Sequence, residues 1–296
     1  MSDTLVNLSR KITGAKKLKS VVHTMKVLAA SNIGQYEAAV RSLKDYCHNI
    51  NLGMYVCLRE AVTALQTPPK KQKKMAPICA IVLGSDQGLV GRFNDAITEY
   101  AINQLKVFPC DKYVWAVGER VSSRLEESGI KIAGLFEVPS SVNTISALGT
   151  QILFETEKYR KKNTDTSLYV FYNSTTTGSV YGPDHQRVLP LDERWLGEIF
   201  ETRWPTKNLP EAMHGEKNTI PSLLSEYLFA SLFEACAESL MSENAARLAA
   251  MQRAEKNIDE LLDTMTLTYH RIRQDSIDEE LFDVISGSDA GSGIDQ

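Results

Sequence analysis

The 296 residues carry 33 Lys and Arg against 37 Asp and Glu, a formal net charge of -4, and 43% of them are hydrophobic. That mild acidity argues against a nucleic-acid binder, which presents a basic surplus or a basic face. No stretch approaches the roughly 18 uninterrupted apolar residues of a membrane-spanning helix, and Met1 to Thr4 leads into a helical pattern with no signal or transit peptide, so the expected working compartment is the cytoplasmic side.

The first predicted element is a very long helix from Thr4 to Leu65. Leu8, Ala15, Val22, Ala29, Tyr36, Leu43, Ile50, Cys57 and Ala64 recur at a seven-residue spacing, and each is apolar or small. This is a coiled-coil seam. A second row, Leu5, Ile12, Ile33, Val40, Cys47, Met54 and Ala61, is broken at Lys19 and Lys26, where Leu18 and Met25 lie one step aside. Such a shift is expected of a helix that meets more than one surface.

Pro68 and Pro69 end that helix, and Lys70, Lys71, Lys73 and Lys74 read as a solvated linker. Ile78 to Leu83 has the continuous apolar character of a strand buried on both faces. A glycine-rich loop, Gly84 to Asn94, leads into a helix over 95–107. Strands over 113–117 and 131–136 and helices over 120–127 and 145–161 follow. Leu168–Tyr172 and Val188–Leu191 close the set. The alternation predicts a mainly parallel sheet flanked by helices, a Rossmann-like α/β domain over 76–192. An irregular connector over 193–219, marked by Trp195, Trp204, Pro205 and Pro210, returns to a second long helix over 220–286, with a Gly, Ser and Asp-rich tail over 287–296.

In that last helix Met251, Ile258, Met265 and Ile272 repeat at seven, with Leu248, Leu262 and Tyr269 as the companion row and Glu255 interrupting it. The fold class is therefore a long antiparallel coiled coil of N- and C-terminal helices (residues 1–67 and 220–286) with the α/β domain inserted between them. At about 1.5 Å per residue, sixty-odd residues give a rod of roughly 90 to 100 Å, longer than a domain of this size needs.

Chemistry-bearing motifs are thin. Gly84, Gly88 and Gly91 do not make G-x-G-x-x-G, no Gly-Lys-Ser/Thr follows, and the loop reads as a structural turn before it reads as a phosphate site. His23, His48, His185, His214 and His270 are scattered, and Asp184-His185 is placed in a hairpin loop. Cys47, Cys57, Cys79, Cys110 and Cys236 form no C-x-x-C pair and read as small hydrophobes. No catalytic, cofactor-binding or metal residues are assigned.

Ser242-Glu243-Asn244-Ala245-Ala246-Arg247-Leu248-Ala249-Ala250-Met251, with Arg273-Gln274-Asp275-Ser276-Ile277-Asp278-Glu279-Glu280-Leu281 downstream, resembles the C-terminal signature of the gamma subunit of F-type ATP synthases. Arg10-Lys11-Ile12 and His23 to Ser31 resemble that family's N-terminal helix. Ser85 to Asn94 is similar to its S-D-R-G-L-C-G-G-F-N, and Val188-Leu189-Pro190-Leu191 matches the strand closing its domain. Arg92 replaces the second glycine of the turn, Lys17-Leu18-Lys19 replaces a polar Asn-Thr-Gln, and Asp278 stands where Thr is usual, the pattern of a divergent branch. The cysteine-bearing insert of the chloroplast form is missing, so thiol regulation is not expected.

The resemblance implies a central-stalk rotor shaft inside a ring of three alpha and three beta subunits, with an epsilon subunit and the c-subunit ring at its foot. It also implies a peripheral location at the cytoplasmic face of a bacterial inner membrane, no nucleic-acid partner, and catalysis that belongs to the beta subunits. The coupling ion is H⁺ or Na⁺. A few ions crossing roughly 100 to 200 mV supply on the order of 10 kcal/mol, at about 2.3 kcal/mol per charge per 100 mV. The residues it implies for contact with the alpha/beta ring are Met25, Lys26, Arg273, Gln274, Asp278 and Glu280. Competing readings are a non-catalytic coiled-coil scaffold of another complex and a nucleotide-dependent enzyme built on residues 76–192.

Overall fold

The computed structural model describes residues 2–64, 77–160, 166–176, 179–191, 204–208 and 216–291, with positions 197, 199, 201 and 210. The lysine-rich linker after Pro69, most of the 193–219 connector and the last five residues lie outside the described residues. The elements are α1 (Ser2–Ala64), β1 (Ile78–Leu83), α2 (Phe93–Lys106), β2 (Lys112–Val117), α3 (Glu119–Glu127), β3 (Ile132–Phe136), α4 (Val142–Arg160), β4 (Ser167–Thr176), β5 (Ser179–Leu189) and α5 (Glu216–Gly291). Long helices flanking an inserted sheet domain are what the two heptad seams and the alternating middle segment predict. The chain divides into two compact units, residues 29–247 and residues 1–28 with 248–296.

In the larger unit the sheet runs β3-β2-β1-β4-β5. The β1 pairings to β2 and β4 and the β2 pairing to β3 are parallel, and only β4 with β5 is antiparallel. The central strand β1 is buried along its whole length. Its period-2 alternation separates two cores. Cys79, Ile81 and Leu83 meet Ile145 and Ile152 of α4, Leu232 and Cys236 of α5, and Tyr36 of α1. Ile78, Ala80 and Val82 meet Ile97 and Leu105 of α2 and Val121 and Leu125 of α3. The heptad row of α1 is the covered face here, with Ala29, Tyr36, Ile50 and Cys57 buried. A Cβ at Gly53 would stand 3.2 Å from Leu223, so α1 and α5 close on each other at that point.

One placement is corrected. Asp184 and His185 are not in a hairpin loop; they lie inside β5, opposite Tyr172 and Phe171, in a ladder that extends to the Thr176–Ser179 pair. The polar run Gly182-Pro183-Asp184 disguises this strand because β5 is at the edge of the sheet, where proline and charge are tolerated. The last helix also begins earlier than the seam suggested, at Glu216, with Pro221 inside it.

In the smaller unit, Val22 packs with Met251 and Ile258, and Met25, Ala250, Ala254 and Leu262 close around them. The two helix segments run antiparallel, since Lys26 meets Glu255 while Lys19 meets Asp259. Gly14 and Ala15, with Leu8, Lys11, Leu261 and Met265, line a shallow groove. A Cβ added at Gly14 has nothing within 4 Å. Gly14→Ala is therefore expected to stabilise the helix by about 1 kcal/mol, because glycine gives up more backbone freedom than alanine. A raised denaturation midpoint checks it, and an unchanged one would mean that this turn is frayed in the native state.

Candidate partner-contact surface

Two residue sets carry the surface of the smaller unit. The first is on α1. Leu18, Val21 and Leu28 are exposed by 54%, 55% and 58%. With Met25 they form a row at i, i+3, i+7 and i+10, distinct from the seam of Ala15, Val22 and Ala29 that faces α5. Met25 stands at the border of the two: it packs on the Val22, Met251 and Ile258 cluster yet is only half-buried. The seam shift at Leu18 and Met25 is therefore a second apolar face.

The breaks in the seams are occupied by charge pairs. Lys26 Nζ donates to Glu255 Oε2 at 2.5 Å, and His23 Nδ1 lies 3.1 Å from Glu255 Oε1. Lys19 Nζ is 2.5 Å from Asp259 Oδ1. The hydrogen bond from Lys26, then that of His23, holds the Glu255 carboxyl below its ordinary range. A lowered carboxyl pKa contributes stability that is present above the ordinary carboxylate value and is lost as pH falls through the lowered one. Glu255→Gln is thus expected to lower the melting temperature near neutral pH and to flatten the acid limb, the two profiles converging at low pH where the wild-type carboxyl is protonated. Parallel wild-type and variant acid limbs would remove Glu255 from that role.

The second set is on α5. Arg273, Gln274, Asp278 and Glu280 are exposed, and among the described residues Arg273 makes no ion pair. Eighteen residues of helix place Arg273 about 27 Å along the axis from Glu255, so these side chains are not brought beside Met25 and Lys26. They surround a stripe of Ile277, Leu281, Val284 and Ile285, exposed by 52%, 58%, 70% and 49%. At about 100° per residue, Gln274 falls within the stripe, Arg273 and Glu280 along one margin and Asp278 along the other. An apolar centre with a charged rim is the anatomy of a recognition surface.

The glycine-rich loop of the larger unit holds itself. Asn94 Oδ1 accepts from Ser85 N at 3.0 Å and Asn94 Nδ2 donates to Ser85 Oγ at 2.8 Å. Asp86 accepts from the backbone N–H groups of Glu119 and Val138, at 3.0 and 3.1 Å. A carboxylate of the chain thus sits on the α3 N-terminus, where a phosphate would otherwise be drawn. A Cβ at Gly84 would stand 2.4 Å from Val121 Cβ, which explains glycine there as close packing.

Of the scattered groups, His185 meets Tyr100 Oη at 2.8 Å and stacks on Phe171. All five cysteines are free thiols. Burial pushes Cys79 up to about 11 and Cys236 up to about 12, away from thiolate chemistry. Sequence reasoning recorded Glu255 as an interruption and missed its role as the acceptor for Lys26 and His23. The signal was present in the matching breaks on the two helices.

Among the described residues no helix is long and apolar enough to cross a membrane. Long terminal helices that carry uncovered apolar stripes, around a sheet domain whose loop is internally bonded, define a protein that works through the surfaces it presents to partners. The chain belongs to the ATP synthase family, whose sequence model matches residues 4–290. It is 27% identical over 290 residues to the ATP synthase gamma chain of Dechloromonas aromatica, covering 96% of this chain and 98% of that one. The fold is that of a chain in the Euglena gracilis mitochondrial ATP synthase (OSCP/F1/c-ring), with TM-score 0.65, 17% identity and coverage of 100% and 97%. It also resembles a chain in the central stalk/c-ring structure of the Tetrahymena thermophila enzyme, with TM-score 0.58, 19% identity and coverage of 79% and 99%.

Proposed function

We propose that this chain is the central-stalk rotor shaft of an F-type ATP synthase. It couples ion flow through the membrane sector to ATP synthesis or hydrolysis on the beta subunits, and has no catalytic site of its own. The observation that carries the reading is the pair of uncovered stripes in the smaller unit, Leu18-Val21-Met25-Leu28 and Ile277-Leu281-Val284-Ile285. They differ in sequence, length and flanking charge. A shaft that touched three identical subunits identically could not bias their equilibria, whereas one presenting different surfaces to each can.

Met25 and Lys26 on α1, and Arg273, Gln274, Asp278 and Glu280 on α5, meet the alpha/beta ring. An epsilon subunit and the c ring complete the rotor, the assembly is peripheral on the cytoplasmic face of a bacterial inner membrane, and the ion is H⁺ or Na⁺. Co-expression of a tagged chain with alpha and beta subunits from the same genome tests this. Recovery of an ATP-hydrolysing complex with three copies of each per tagged chain is the expected result. A tagged chain recovered alone or as a homodimer would overturn it in favour of a scaffold.

A further inference from the structure

The charges that interrupt the two seams are matched across the helices, and the match is specific to one register. Lys26, a break in the second α1 row, meets Glu255, the break in the α5 companion row. Lys19, one heptad earlier, meets Asp259, one turn later on the antiparallel helix. A slip of one heptad would set the Lys26 ammonium against Leu248 or Leu262, since these are the heptad neighbours of Glu255. The slip toward Leu248 brings Lys19 opposite Glu255 in place of Lys26, and the slip toward Leu262 brings Lys26 beside Asp259 and leaves Lys19 facing Thr266, so neither slip keeps both pairs. A slipped register therefore retains apolar packing but keeps only one of the two ion pairs and strands one ammonium and one carboxylate, which is the form that selection against alternative pairings takes in coiled coils.

Glu255 reaches further than one pair. Its two oxygens are taken separately, by His23 and by Lys26. Those residues sit on either side of Met25 along α1. Its own side chain is 19% exposed and that of Lys26 26%, so solvent weakens this bridge less than it weakens the more open Lys19–Asp259 pair.

We infer that Glu255 is a positioning residue: by clamping His23 and Lys26 it fixes the register of α1 on α5 and so holds Met25 where the surrounding ring meets it. The second half of this rests on the central-stalk reading; the first does not. A push delivered at Met25 is then carried by both helices together instead of being dissipated as slip between them.

The test separates the two halves. In the full chain with its native cysteines replaced, disulfide trapping pairs V22C with I258C, or with M265C one heptad away. The wild-type background should give only the first cross-link, and K26L/E255L, which keeps apolar packing, should give both. In the complete complex in vesicles, K26L/E255L should lower ions pumped per ATP hydrolysed by at least about fivefold. Its melting temperature should not fall, because apolar replacement of an ion pair is commonly neutral. The charge swap K26E/E255K should restore both readouts. A single cross-link in K26L/E255L, or a swap that restores neither readout, overturns the clamp. A wild-type complex that pumps nothing overturns the central-stalk reading alone, because the cross-link still decides the register.

Discussion

Gly118→Ala is expected to cost the α/β domain about 3 to 5 kcal/mol, a large fraction of the stability of a domain of its size. Gly118 has φ 108°, a backbone conformation that residues with a Cβ rarely adopt. The added Cβ would stand 2.8 Å from the Ser85 carbonyl carbon and oxygen and 2.9 Å from its nitrogen. Backbone cannot swing aside as a side chain can, and Ser85 is held at both ends, by Asn94 Oδ1 on its N–H and by Arg120 N–H on its carbonyl. Gly129→Ala is the control. It also has positive φ, at 80°, but a Cβ there has nothing within 4 Å, so only the conformational cost of about 1 kcal/mol applies. Chemical denaturation of the two variants should separate their midpoints widely. Equal losses would mean that the Ser85 contact is not what demands glycine.

That contact shows where sequence reading stopped. The loop from Gly84 to Asn94 was legible as a turn because its glycine spacing fits no phosphate motif. Its bonding was not legible, because Asp86 finds its partners at Glu119 and Val138, in segments whose approach depends on the sheet order. The heptad rows were legible because burial of one helix face needs only local periodicity, and Val22, Ala29, Tyr36 and Ile50 are buried accordingly. β1 was legible for the same reason, its unbroken apolar run having two cores to fill. The first half of β5 was not, since at the sheet edge residues 181–187 are exposed or only half-buried and can be polar, with Pro183 tolerated among them. The partner of Lys26 could not be read from either helix alone: Glu255 is 229 positions away, and only the register between the helices joins them.

Met25→Lys should uncouple the complex rather than disassemble it. Met25 lies half-buried between the seam cluster of Val22, Met251 and Ile258 and the exposed row of Leu18, Val21 and Leu28. A lysine there has two courses, both of which change the surface at this point. It can compete with Lys26 and His23 for Glu255, whose two oxygens are already taken, or extend outward and place an ammonium on the exposed apolar row. Neither removes the far larger remainder of the shaft, so recovery with alpha and beta subunits should stay within about twofold of wild type. Ions moved per ATP hydrolysed should fall about tenfold, the equivalent of about 1.4 kcal/mol in the contact that biases one catalytic conformation over another. Met25→Leu, which keeps volume and apolarity, should retain both properties. If Met25→Lys lost assembly and coupling in equal measure, Met25 would be a core residue of the helix pair and the contact face would have to lie elsewhere on α1. If both survived, the row around it would not meet the ring at all.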